Sequence, residues 1–279
     1  MRTFRRLRFK CFLRVDQIES RNVTNFPDAS KLLAEKMELL WRPRDLYNLL
    51  WHHLLNLSAN GQGEAFFTQN GYRVPVPPDS SSPISVPDSL KRSEEEQRKL
   101  FHTITGPWMG RDHRRGFPYT WIINHLGDAK GQVSPRSFLA ALREAAADTQ
   151  ENHPDHPFAL HYNSIKRGVQ KASIIRVDEL AEDYPWIITL MKPLEGLVVP
   201  VEFEEIKRRW TEERTLETLT SGNRLPPEHL GEGPEGVRKD LERIGIFQRM
   251  KDGRVNIPDL YRVGFKMGRR GGVRPVSRN

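Results

Sequence analysis

Residues 235–258 read EGVRKDLERIGIFQRMKDGRVNIP. Val237, Leu241 and Ile244 recur at helical spacing, and two short runs follow, IFQRM and RVNIP, joined by Lys251-Asp252-Gly253. An Asp-Gly pair favours a hairpin turn, because its residues tolerate positive φ at little cost. The stretch therefore predicts a helix running straight into two short strands. Immediately upstream, VPVEFEEIKRRW begins one helix and a second, shorter one surrounds Leu216 to Leu219. Three helices and a hairpin, in that order, describe a winged helix–turn–helix over residues 196–265. The remaining residues, 266–279, form a basic tail with no acid.

Further upstream the pattern is helical over residues 96–195. Tyr119, Ile122, Ile123 and Leu126 share one stripe. Ser134 and Pro135 suit the N-cap and first position of a helix whose apolar face is Phe138, Leu139 and Leu142. Another helix runs from about Asn163 to Ala181, with Ile165, Val169, Ala172 and Val177 apolar, and Pro185-Trp186 opens a short one. Residues 58–95 are rich in Pro, Ser and Gly, and predict a flexible loop or insertion. In residues 1–57, Leu7, Phe9, Cys11 and Leu13 alternate with Arg8, Lys10 and Phe12, which predicts a strand with Cys11 as a small buried residue. Lys36 to Trp41 is a short apolar segment, and a helix from Arg44 to Leu57 places Leu46, Leu49, Leu50, His53, Leu54 and Leu57 on one stripe. The fold class expected is mostly α with small β elements.

The balance of 44 Lys and Arg against 36 Asp and Glu gives a net charge of +8, which attracts polyanions. One cysteine excludes an internal disulfide and fits a reducing compartment. No apolar stretch approaches the length needed to span a membrane, and the basic start MRTFRRLRFKCFLRVD lacks the apolar core of a secretory signal. A cytoplasmic protein with no membrane partner is expected.

Catalytic chemistry finds little support. No G-x-x-x-x-G-K-[ST] and no strand-borne G-x-G-x-x-G occurs, and the glycines of GRRGGVRP lack a Lys-Ser/Thr pair. There is no G-x-S-x-G elbow. His153, His156 and His161 lie near Asp155, but Pro154 and Pro157 make the stretch an extended linker, and adjacent His52 and His53 point to different faces, so no metal site is assigned. The most chemically loaded stretch is GRDHRRG, residues 110–116. Arg111, Arg114 and Arg115 stand between glycines beside Trp108 and Phe117; guanidinium groups there suit a phosphate or a partner's acidic face, or equally a solvated basic loop. Arg14 and Asp16 follow the first strand, where ligands are met in open α/β sheets.

The order of these pieces resembles the C-terminal half of bacterial P-loop ATPases of the STAND and AAA-like kind: FLRVD, then FPDASKL and an apolar strand ending in Trp41, then DLYNLLWHHLLN, a helical region and a winged helix. The resemblance implies a late core strand, a helical lid and a closing winged helix, without the Walker A and Walker B core. By it, Arg14 and Asp16 stand near the sensor position, and Arg111, Arg114 and Arg115 approach nucleotide phosphates from the lid. It further implies no catalysis by the chain alone and no cofactor of its own. ATP and Mg would enter only through pairing with a missing core, and the partners implied are an ATPase core half or a second copy of the chain. The alternative is a DNA-binding winged helix, read by Arg238, Lys239 and Arg243 on the third helix. Arg249, Lys251 and Arg254 would act from the wing, and Lys266, Arg269, Arg270 and Arg274 from the tail.

Overall fold

The structure is a computed structural model that describes residues 10–13, 18, 26–34, 36–57, 61–79, 81–221 and 225–269. The chain divides into two compact units, Met1–Leu39 and Leu40–Asn279, rather than at residue 57. In the first unit the described residues include a short helix, α1 (Ala29–Leu33). Residues 10–13 are irregular and exposed, Cys11 included, so the expected strand with a buried cysteine is absent there. The apolar segment from Lys36 is likewise no strand. Met37 is 88% and Leu39 75% exposed. Alternation alone does not make a strand, because the backbone needs a neighbouring ladder to accept its hydrogen bonds.

The second unit opens with helices α2 (Pro43–Leu57) and α3 (Gln62–Gln69), followed by α4 (Asp88–Arg92) and α5 (Glu94–Thr105). The buried stripe of α2 is Leu46, Tyr47, Leu50, Trp51 and Leu55, whereas His53 and Leu57 face solvent. The large aromatic pair turns the helix toward its own side, because burying Tyr47 and Trp51 removes more apolar area than burying His53. Residues 58–95 are not a loose insertion where described. Phe67, Val86 and Leu90 are buried, and the Asn56 side chain holds Ile84 by two bonds, Nδ2 donating to its carbonyl at 3.0 Å and Oδ1 accepting from its amide at 2.7 Å. Ser93 caps α5, its hydroxyl accepting from the Glu96 amide at 3.2 Å, with Glu94, Glu95 and Glu96 in the positive first turn.

Helices α6 (Pro118–Leu126), α7 (Pro135–Asn152) and α8 (Tyr162–Asp183) complete the helical layer with α9 (Trp186–Met191). The predicted faces are the buried ones: Tyr119, Ile122 and Leu126 in α6, Phe138 and Leu142 in α7. Pro135 opens α7 after Ser134 as expected, although the Ser134 hydroxyl makes no cap bond. At the centre, Tyr47 stacks on Tyr119 at 4.0 Å and meets Phe101 and Phe138 edge-on at 5.0 and 5.1 Å. The polar atoms of this cluster satisfy one another. Tyr47 donates to the Tyr119 carbonyl at 2.7 Å, Tyr119 donates to Gln97 Oε1 at 2.8 Å, and Gln97 Nε2 donates to the Arg44 carbonyl at 3.0 Å and to Asn48 Oδ1 at 2.9 Å.

Beyond β1 (Val198–Val199) come α10 (Phe203–Glu212), α11 (Thr215–Thr220) and α12 (Gly233–Arg243), then β2 (Gln248–Arg249) and β3 (Val255–Asn256). The predicted helix–helix–helix–hairpin order is present. Strands β2 and β3 are antiparallel, with Gln248 opposite Asn256, and Val201 bridges Val255 on the far side of β3. Gly253 at the turn has φ +90°, the conformation for which glycine is suited. The chain closes with α13 (Asp259–Arg262) and β4 (Gly268–Arg269), which pairs parallel with β1. The start of the expected basic tail is therefore built into the fold, and Met267 is fully buried. Helix α8 ties the two parts together: Ser173, itself buried, donates to the Leu260 carbonyl, and its hydroxyl accepts from the Gly264 amide at 2.8 Å. The helical layer and the C-terminal part accordingly form one compact unit, with no division at residue 196.

Candidate functional site

The GRDHRRG loop is closed by the Met109 amide donating to the Gly116 carbonyl at 2.8 Å. Gly116, at φ +89°, lets the chain turn back, and a one-turn 3₁₀ segment, His113–Arg115, is capped by Asp112 Oδ1 accepting from the Arg114 amide at 2.9 Å. Arg111, Arg114 and Arg115 are all exposed, and among the described residues none of the three makes an ion pair. Aromatic rings flank them. Trp108 lies 5.1 Å from Phe117 and 6.1 Å from His113, and the Arg98 guanidinium stands 5.9 Å over the Phe117 ring. Lys166, which spans toward the loop from α8, has its ammonium 5.2 Å over Tyr162, and its pKa is lowered by burial and then by the neighbouring charge of Arg115. Cations held close together favour an anion between them, and the one acid of the loop, Asp112, is engaged by the Arg114 amide.

The cations expected to read DNA are placed differently. On α12, Arg238 pairs with Glu235 at 2.9 Å and with Glu242 at 3.5 Å while lying 4.8 Å over Phe203. Lys239 pairs with Glu232 at 2.7 Å, and Arg243 bridges Glu228 and the fully buried Asp240. Asp252 holds Arg254 at 2.7 Å, Glu195 holds Lys266 at 2.7 Å, and Asp259 lies 3.6 Å from Arg269. Arg249 and Lys251 are exposed at the hairpin. Arg14, Asp16, Arg270 and Arg274 lie outside the described residues.

The structure does bring His153, His156 and His161 together, with ring centroids 3.8 and 4.6 Å from His161. The His153 ring is tilted 36° to that of His161, and the His156 ring meets it edge-on at 85°. His161 Nδ1 accepts from the Asn163 amide at 3.3 Å and caps α8, and burial followed by the charges of His153 and His156 lowers its pKa to about 4. Among the described residues the donors close enough to share a metal are Glu228, His229 and Asp240. Arg243 already bridges the two carboxylates, and Asp240 also accepts from the His229 amide and meets His229 Nδ1, each at 2.8 Å, so the cluster is a closed ion-pair network.

Sequence reading overlooked His125, Asp128, Asn256 and Asp259. They sit in separate segments that share no motif spacing, and the fold gathers them around a cavity of about 580 Å³. Among the described residues no helix is long and apolar enough to cross a membrane. No protein-family model matches the chain, and neither the curated proteins nor the solved structures include a match.

Proposed function

We propose that this chain is a non-catalytic regulatory module of a P-loop ATPase, a helical lid joined to a winged helix, whose Arg111–Arg115 loop meets the phosphates of a nucleotide held by an ATPase core. The observation that carries this reading is the distribution of unpaired positive charge. Exposed arginines without acid partners are on the helical layer, beside Lys166, whereas the cations of α12 are engaged with Glu228, Glu232, Glu235, Asp240 and Glu242. A recognition helix for DNA needs cations free to meet phosphates and bases, and neutralised side chains offer neither. The three helices and hairpin, with Val201 bridging Val255 on the free side of β3, support the winged-helix part of the reading. Many such modules serve as protein contacts, which suits an α12 surface laced with paired charge. A second reading, backbone contact with DNA through the hairpin, is favoured only by exposed Arg249 and Lys251.

The test is a pair of calorimetric titrations. Inorganic tripolyphosphate is expected to bind the wild-type chain. The triple variant Arg111→Ala, Arg114→Ala, Arg115→Ala should bind about tenfold more weakly, while Arg249→Ala with Lys251→Ala should not differ from wild type. MgATP should not be hydrolysed. Duplex DNA bound with a steep salt dependence that vanishes in the Arg249/Lys251 variant, with no tripolyphosphate binding, would reverse the assignment in favour of DNA.

A further inference from the structure

The cavity between the helical layer and the C-terminal part carries more than its position. Its walls come from the end of α6 and the loop after it, Asn124 to Gly131, from Gln248 and Asn256 of the hairpin, and from Asp259 and Arg269. Gly245 permits this approach. At φ +81° it lies against Asp128, whose carboxylate oxygen would be 3.2 Å from a Cβ there, and its carbonyl accepts from the Ala129 amide at 2.9 Å. A volume of about 580 Å³ is large enough to admit a small molecule.

The polar groups at its wall are mostly acceptors. Asp259, 5% exposed, has Oδ1 tied to Arg262, whose Nε donates at 2.8 Å and whose Nη2 lies at 2.7 Å. Its Oδ2 is turned to His125 Nε2 at 3.6 Å, too long for a hydrogen bond. His125 Nδ1 lies 2.8 Å from the Trp121 carbonyl, which can only accept, so Nδ1 carries the hydrogen and Nε2 of the neutral ring presents a lone pair. Burial lowers the pKa of His125 and outweighs the opposing pull of Asp259, so the ring is neutral near pH 7. Two acceptors therefore face one another across a gap suited to a donor. Asn256, 6% exposed, donates from Nδ2 to Gln248 Oε1 at 2.9 Å, and its Oδ1 has no hydrogen-bond partner. At the rim Arg269 is 41% exposed and 3.6 Å from Asp259 Oδ1, a contact loose enough to leave the guanidinium available. Arg176, behind Asp128, pairs with Glu179 at 3.3 Å.

We propose that this cleft binds a small zwitterion of the amino-acid class, its ammonium donating to Asp259 Oδ2 and His125 Nε2 and its carboxylate meeting Arg269. An ammonium supplies the hydrogens that the two facing acceptors lack. A carboxylate fits the planar guanidinium fork, and the remaining volume, walled by Asn256 and Asp128, takes a polar side chain. A purely anionic ligand would face Asp128 and Asp259, and a purely cationic one would face Arg269.

The experiment is calorimetric titration of the full chain with the free proteinogenic amino acids. The best binder is then repeated as its methyl ester, which lacks the carboxylate, and as its N-acetyl derivative, which lacks the ammonium. At least one free amino acid should bind saturably, with each derivative about tenfold weaker or worse. Arg269→Ala should weaken the acid about tenfold and leave the ester unchanged, and His125→Gln should weaken both. The thermal midpoints of the unliganded variants report whether they fold. Should either variant unfold, the wild-type comparison of acid, ester and N-acetyl forms decides the matter alone. No saturable heat up to about 10 mM of any amino acid, or an ester that binds as well as its acid, overturns the proposal.

Discussion

Gly168 illustrates how a single position can set the distance between two helices. A Cβ built there would stand 2.1 Å from the Ala141 carbonyl oxygen, so α8 approaches α7 as closely as its backbone allows. A carbonyl of a regular helix cannot swing aside, and Gly168→Ala must part the helices. The expected cost is about 2 kcal/mol or more, in spite of alanine's better helix propensity. It should appear as a lower urea midpoint with an unchanged slope, and a midpoint equal to or above wild type would contradict the packing described. Nothing local in the sequence marks this glycine, which lies in an otherwise regular helical stripe. Gly253 is the opposite case, because its Asp-Gly partner makes the turn legible from two letters.

At the level of elements, periodicity served well where a helix packs on one side. The faces of α6 and α7 were legible because an apolar stripe at three- and four-residue spacing has one way to be buried. It served poorly in residues 58–95, where proline and serine hide the anchors. Phe67 in α3 is fully buried, meeting Trp51 edge-on at 6.1 Å and Phe66 at 5.4 Å. Phe67→Ala is therefore expected to cost about 3–5 kcal/mol, measurable by chemical denaturation. A cost near zero would return the segment to the flexible loop that its composition suggests. The arginine loop was also legible as a cluster of exposed guanidinium groups, since its glycines and arginines are contiguous. The partners that neutralise α12 were not, because Glu228 and Glu232 precede that helix in a turn whose path only the fold determines.

The whole molecule should weaken in mild acid. His102, His125, His156 and His161 each have a lowered pKa, with burial the leading cause in every case. A histidine whose folded pKa is depressed takes up its proton more readily when unfolded. Below the ordinary value of 6.5 the unfolded chain gains protons first, and stability falls until the folded value is passed, about 4 for His161. Asp128, raised by burial, works in the opposite sense. The urea midpoint is expected to fall between about pH 7 and about pH 5. The fall should be shallower in His156→Gln, which removes one of the charges acting on His161. A midpoint flat across that range would refute the assignment.

The sequence by itself determined the longer helices, the buried faces of α6 and α7, the hairpin turn and the net positive charge, because each depends on neighbours within a turn or on total composition. Tertiary structure alone decided which arginines are neutralised, that residues 61–79 and 81–95 are anchored, that residues 10–13 form no strand, and that His125, Asp128, Asn256 and Asp259 share one cavity. Ion pairs, strand ladders and cavities are made between segments distant in the chain, and no local pattern records which segments will meet.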